Sequence, residues 1–91
     1  MAIAVGSPEV LKAARAQSAL KRWPEAVGEF LAERSRPLSY DHGTLYVTAD
    51  GSAWAQEIRM RQGVILNRLN DFVGEDLFTG LRVTLRPDRP L

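Results

Sequence analysis

The sequence contains no cysteine and a single histidine, His42. The first absence excludes disulfides, thiolate metal sites and a cysteine nucleophile. The second excludes a metal site built on several histidines. No apolar run approaches the roughly 18 residues of a membrane-spanning helix. The apolar start Met1–Val5 is too short for a secretory h-region and has no basic flank. A large excess of one charge is missing too, because twelve Lys and Arg face eleven Asp and Glu for a net charge of +1. That balance argues against a surface coated with basic groups, and the expected setting is a soluble, cytoplasmic protein.

What is present is ordinary in bulk. A chain of 91 residues that is 45% hydrophobic and 25% charged fits one soluble domain. Residues 1–91 are expected to form it, with frayed ends at 1–7 and 87–91. A chain this short buries about 60–65% of its unfolded surface, so one modest core must hold it. The charge is unevenly placed. Residues 1–22 carry a net +3 through Lys12, Arg15, Lys21 and Arg22, residues 23–57 a net −4, and residues 58–91 a net +2. This pattern suggests a basic and an acidic side.

Ser7-Pro8 reads as an N-cap followed by proline at the first helical position. An alanine-rich helix is expected from about Pro8 to Leu20, with a weak apolar face of Leu11, Ala14 and Leu20. A stronger amphipathic helix is expected over Arg22–Arg34, where Trp23, Val27, Phe30 and Leu31 share a face of period 3.6. Gly28 inside it costs about 1 kcal/mol relative to alanine, which predicts a close backbone neighbour there. Pro37 is expected to stop this helix. Leu38–Asp41 and Thr44–Asp50 read as strands joined by a tight turn at His42-Gly43. Ser52 is the expected cap of the next helix. Trp54, Ile58, Ile65, Leu69 and Phe72 mark its apolar stripe, and Gly63 is the expected break between Ala53–Gln62 and Val64–Phe72. Gly74 ends the run, and Leu81–Arg86 is the last strand.

The fold class that follows is α+β: a small three-stranded mixed sheet with helices on one face. The strand–helix–strand unit makes its two strands parallel, and Leu38–Asp41 adds antiparallel. Without the first helix the order is α-β-β-α-α-β, that of a type II KH domain, so the expected fold is KH-like with an extra N-terminal helix.

Little in the sequence carries catalysis. His42 sits in a turn beside Asp41, Glu75-Asp76 follows a helix end, and the Ser and Thr residues have no evident base. No enzyme activity, metal or cofactor is expected. KH domains clamp nucleic acid with a Gly-X-X-Gly loop, whereas Arg61-Gln62-Gly63-Val64 has one glycine, which argues against binding in that manner. Two other surfaces are candidates for nucleic acid. One is the phosphate-binding patch of Lys12, Arg15, Lys21 and Arg22. The other is the open sheet face, where Tyr46, Arg82 and Arg86, with Tyr40 beside them, offer a ring and cations or an anchor for a protein partner. Trp23 and Trp54 each head an apolar stripe and read most simply as core or rim residues.

The ordered series Trp23-Pro24-Glu25-Ala26-Val27-Gly28, Gly43-Thr44-Leu45-Tyr46-Val47, Ser52-Ala53-Trp54-Ala55-Gln56-Glu57-Ile58 and Ile65-Leu66-Asn67-Arg68-Leu69-Asn70 resembles the successive signatures of the DciA family. The likeness runs from about Leu20 to Arg86. It implies a KH-like domain that interacts with the hexameric replicative helicase DnaB, promotes its loading and contacts DNA weakly, single-stranded or forked. It also implies association with the nucleoid during replication. Trp23, Gly28, Trp54 and Glu57 carry the pattern, as partner contacts or as structural residues. Many members have a disordered basic extension, whereas this chain stops at Leu91 soon after its last strand; either it is a compact member or its partner contacts all lie on the folded domain, and strong autonomous DNA binding is not expected. A stand-alone KH-like nucleic-acid-binding module is the alternative, and an assembly domain of another pathway is a third.

Overall fold

The computed structural model describes residues 8–85. Its elements run α1 (Pro8–Leu20), α2 (Trp23–Val27), α3 (Glu29–Ala32), β1 (Ser35–Asp41), β2 (Thr44–Ala49), α4 (Ser52–Met60), α5 (Gln62–Val73) and β3 (Gly80–Leu85). The sheet order is β1-β2-β3, with β1 antiparallel and β3 parallel to the central strand. This is the mixed three-stranded α+β arrangement read from the sequence.

The core lies between the sheet and the helices. Leu45, Val47 and Ala49 of β2 are fully buried and meet Ile58, Ile65, Leu69, Leu31 and Trp23. α1 has the predicted span, but its buried face is Ala16, Ala19 and Leu20, while Leu11 and Ala14 are exposed. The buried side chains at i and i+3 are alanines and the one at i+4 is leucine, so α1 packs on its neighbours largely through alanine. Its expected cap, Ser7, lies outside the described residues.

The amphipathic helix expected over Arg22–Arg34 is broken at Gly28, which adopts φ 94° and ψ 149°. Only glycine adopts that region readily. A Cβ at this position would meet no atom of the described residues within 4 Å, so backbone conformation accounts for the glycine, and no described residue is a close neighbour. The break also changes which side chains point inward. Trp23, Ala26, Val27 and Leu31 are buried, while Phe30 is 62% exposed.

Pro37 does not stop a helix, which has already ended at Ala32; it sits inside β1, a longer strand than predicted. Proline is tolerated there because β1 is an edge strand. The register shifts between Pro37 and Ser39, leaving Leu38 as an extra residue. Such a bulge reverses which face the following side chains occupy. Tyr40 therefore shares a row with Leu45 on the core side, donates its hydroxyl to the Leu77 carbonyl at 2.8 Å, and lies edge-on to Phe78.

Two further departures concern the crossover. The helix cap is Gly51, and Ser52, the expected cap, is instead the first residue of α4. The break between α4 and α5 falls at Arg61 (φ −103°, ψ 11°), and Gly63 lies within α5. Beyond Gly74 the loop is pinned by Asn70. Its side-chain amide accepts from the Phe78 N–H at 2.7 Å and donates to the Phe78 carbonyl at 2.9 Å. That pairing buries Leu77 and Phe78.

Candidate functional site

Three surfaces gather the residues that the sequence singled out. The first is a groove of about 310 Å³ between the α2–α3 break and α4, whose lining includes Gly28, Phe30, Trp54, Glu57 and Arg61. The Phe30 and Trp54 rings meet edge-on at 5.0 Å, and the Arg34 guanidinium lies 5.5 Å from the Trp54 ring centre, within cation–π range. Glu57 accepts from Arg61 at 2.8 Å one helical turn on. Gly28, Trp54 and Glu57 thus come together, and Phe30, expected in the core, joins them. Trp23 does not: it is buried, and its Nε1–H donates to Ser35 Oγ at 3.2 Å, which itself donates to the Leu31 carbonyl at 2.7 Å.

The second surface is the basic patch on and after α1, and the structure thins it. Arg15 pairs with Glu75. Arg22 donates twice to Glu25, at 3.0 and 2.6 Å, and stacks 4.0 Å from the centre of the Phe72 ring. The hydrogen bond to Glu25 raises the pKa of Arg22 above that of an ordinary guanidinium, and the same bond lowers that of Glu25 below the usual glutamate value. Lys12 and Lys21 have no ion pair among the described residues. Arg22–Glu25 joins the basic block 1–22 to the acidic block 23–57, while Arg15–Glu75 links two blocks of net positive charge.

The third surface is the open face of the sheet. Tyr46 stands beside Arg82 on β3 and opposite Ser39 on β1, as the alternation predicts. Arg36, Thr48 and Thr84 form the next row on the same face. Tyr40 is absent from this face because of the bulge, and Arg86 lies outside the described residues. Arg36 was missed because it was read as a link between helix and strand. Thr48 is buried to 7% exposure, and its Oγ1 has no hydrogen-bond partner among the described residues.

His42 stands at positive φ in the hairpin turn, its Nδ1 2.7 Å from Asp41 Oδ1. Gly43 follows at φ 93°, where an added Cβ would fall 2.5 Å from Thr79 Oγ1. Its carbonyl accepts from the N–H groups of Thr79 and Gly80, so the tight turn locks the hairpin onto the start of β3. Among the described residues, no group of three His, Cys, Asp or Glu side chains is placed to hold a metal ion. No described helix is long and apolar enough to cross a membrane. α4 and α5 are joined by Arg61 alone, which leaves no loop between them to clamp a nucleic-acid backbone.

The architecture is that of a small KH-like α+β domain with an additional N-terminal helix. The chain belongs to the DciA family, described as Dna[CI] antecedent, whose model matches residues 3–83. It is similar to a UPF0232 protein of Rhodococcus jostii, 38% identical over 65 residues, covering 71% of this chain and 35% of that protein. A UPF0232 protein of Mycobacterium tuberculosis (strain H37Rv) is 35% identical with the same coverage. One of Mycolicibacterium smegmatis is 35% identical over 66 residues, covering 72% of this chain and 34% of that protein. The chain spans about a third of the length of the curated relatives it matches.

Proposed function

We propose that this chain is a non-enzymatic adapter of bacterial DNA replication, which binds the hexameric replicative helicase DnaB, promotes its loading onto DNA and touches DNA weakly itself. Residues 1–91 act as one domain, in the cytoplasm at the nucleoid. Membership of the DciA family supports the replication role. The observation that carries the binding role is the convergence of Gly28, Trp54 and Glu57 on one groove. Protein contacts concentrate their energy in aromatic and arginine side chains at the centre of such a surface. Phe30 and Trp54, with Arg34 and Arg61 around them, have that composition.

The test is capture of the cognate replicative helicase by the chain at moderate salt. Wild-type protein is expected to retain the helicase, and Phe30→Ala with Trp54→Ala to lose at least tenfold in affinity, the scale of a hot-spot truncation. Failure of the wild type to capture it would remove the adapter reading. Undiminished capture by the double variant would move the contact away from the groove.

A further inference from the structure

Most arginines of the described residues are engaged within the fold. Arg15 and Arg61 pair with Glu75 and Glu57, Arg22 with Glu25 and the Phe72 ring, and Arg34 lies over Trp54. Arg59 and Arg68 donate to the carbonyls of Val83 and Ala26. The two with no such partner among the described residues, Arg36 and Arg82, are both on the open face of the sheet. By strand geometry their Cα atoms stand roughly 12 Å apart on a diagonal, with Tyr46 of the central strand between them.

The acids nearby define a direction. Asp41 lies at the hairpin end of the face, in the row of Thr44. At the far end Glu33 and Asp50 share a small pocket with Arg36 and Thr48. The middle row, Ser39–Tyr46–Arg82, holds no carboxylate. A polyanion therefore meets least repulsion when it crosses the strands through the middle of the face.

We infer that this face holds single-stranded DNA, with one base stacked on Tyr46 and the flanking phosphates held by Arg36 and Arg82. The inference rests on the DNA-touching part of the proposed function and gives it a site. A ring that stacks a base selects a single strand, because the bases of a duplex keep their faces covered. The cations add the salt-dependent part of the affinity.

The experiment titrates the full chain with a twelve-nucleotide oligo(dT), and with a duplex of equal length, at two salt concentrations. Tyr46→Ala is expected to weaken oligo(dT) binding about tenfold, and Tyr46→Phe to restore it. Arg36→Gln and Arg82→Gln are each expected to lower the slope of log affinity against log salt by about 0.7, one single-strand phosphate contact. Both arginines are exposed, so these variants keep the fold and test the site even if Tyr46→Ala unfolds. Duplex binding unchanged by Tyr46→Ala and weaker than oligo(dT) binding supports the single-strand preference. Equal losses in Tyr46→Ala and Tyr46→Phe overturn the stacking. Oligo(dT) binding that persists in the Arg36→Gln/Arg82→Gln double variant, and falls in Lys12→Ala/Lys21→Ala, overturns the site and moves it to α1. Wild-type protein that does not bind oligo(dT) at the lower salt overturns both this inference and the DNA contact it rests on, while helicase capture stands or falls separately.

Discussion

The two tryptophans look alike in the sequence and end in opposite surroundings. Each heads a short helix with an apolar stripe. Trp23 is 4% exposed and satisfies its N–H through Ser35, whereas Trp54 is half-buried at the rim of a groove, against an exposed Phe30. The difference originates at Gly28. By ending α2, that residue lets Val27 and Leu31 face the core while Phe30 swings out to meet Trp54. A recurring residue of a family signature can therefore hold the fold or offer a contact, and spacing alone does not say which.

The largest effect should come from breaking the buried member of the pair. Trp23→Ala is expected to cost about 3–5 kcal/mol of stability, read as the loss of free energy in urea unfolding. Trp54→Ala should cost much less, about 1–2 kcal/mol of area and ring contact. Equal costs would erase the contrast.

Next in size is the residue that separates the two settings. Gly28→Ala puts a Cβ into open space but holds a non-glycine residue at φ 94°. The expected loss is about 1–3 kcal/mol, with far-ultraviolet circular dichroism unchanged. No measurable loss would mean that the break between α2 and α3 is not fixed by backbone conformation at this residue.

These cases show which parts of the molecule were legible in the sequence. Strand β2 was, because the alternation of Leu45, Val47 and Ala49 is imposed directly by burial of one face. The bulge at Leu38 was not, since a one-residue insertion leaves the sequence pattern of so short a strand unchanged while reversing Tyr40. Leu77 and Phe78 were overlooked because their burial depends on the long-range grip of Asn70, not on periodicity. Among the site residues, Tyr46 and Arg82 were placed beside each other correctly. Arg36 was hidden by Pro37, which was read as a helix stop although an edge strand accommodates it.

The surroundings of Trp23 can be sharpened through its hydroxyl partner. Ser35 and Thr48 are both buried hydroxyls, but Ser35 Oγ is bonded on both sides and Thr48 Oγ1 has no partner among the described residues. Ser35→Ala strands the Trp23 N–H and should destabilise by about 1–2 kcal/mol. Thr48→Val keeps the shape and removes an unsatisfied group, so it should stabilise by roughly 1 kcal/mol. Thermal midpoints moving in opposite directions would bear out the distinction, and a loss in Thr48→Val would reveal a partner for its hydroxyl.

The smallest effect belongs to the exposed side of the same helix, where Arg22 bonds Glu25. The carboxyl of Glu25 has a lowered pKa in the folded protein, first through that hydrogen bond. The unfolded chain therefore binds this proton more readily than the folded one. The stability the pair adds is present above the ordinary glutamate pKa of 4.5 and is lost as the pH falls through the lowered folded value. Both partners are exposed, so solvent screens the pair and the gain is slight. Glu25→Gln should lower the thermal midpoint slightly at pH 7, and the gap from wild type should close in acid, below 4.5. A gap that stays constant from neutral to acidic pH would show that Glu25 acts through packing and not through its charge. The contrast with Trp23, two residues away in the chain, would then be one of area alone.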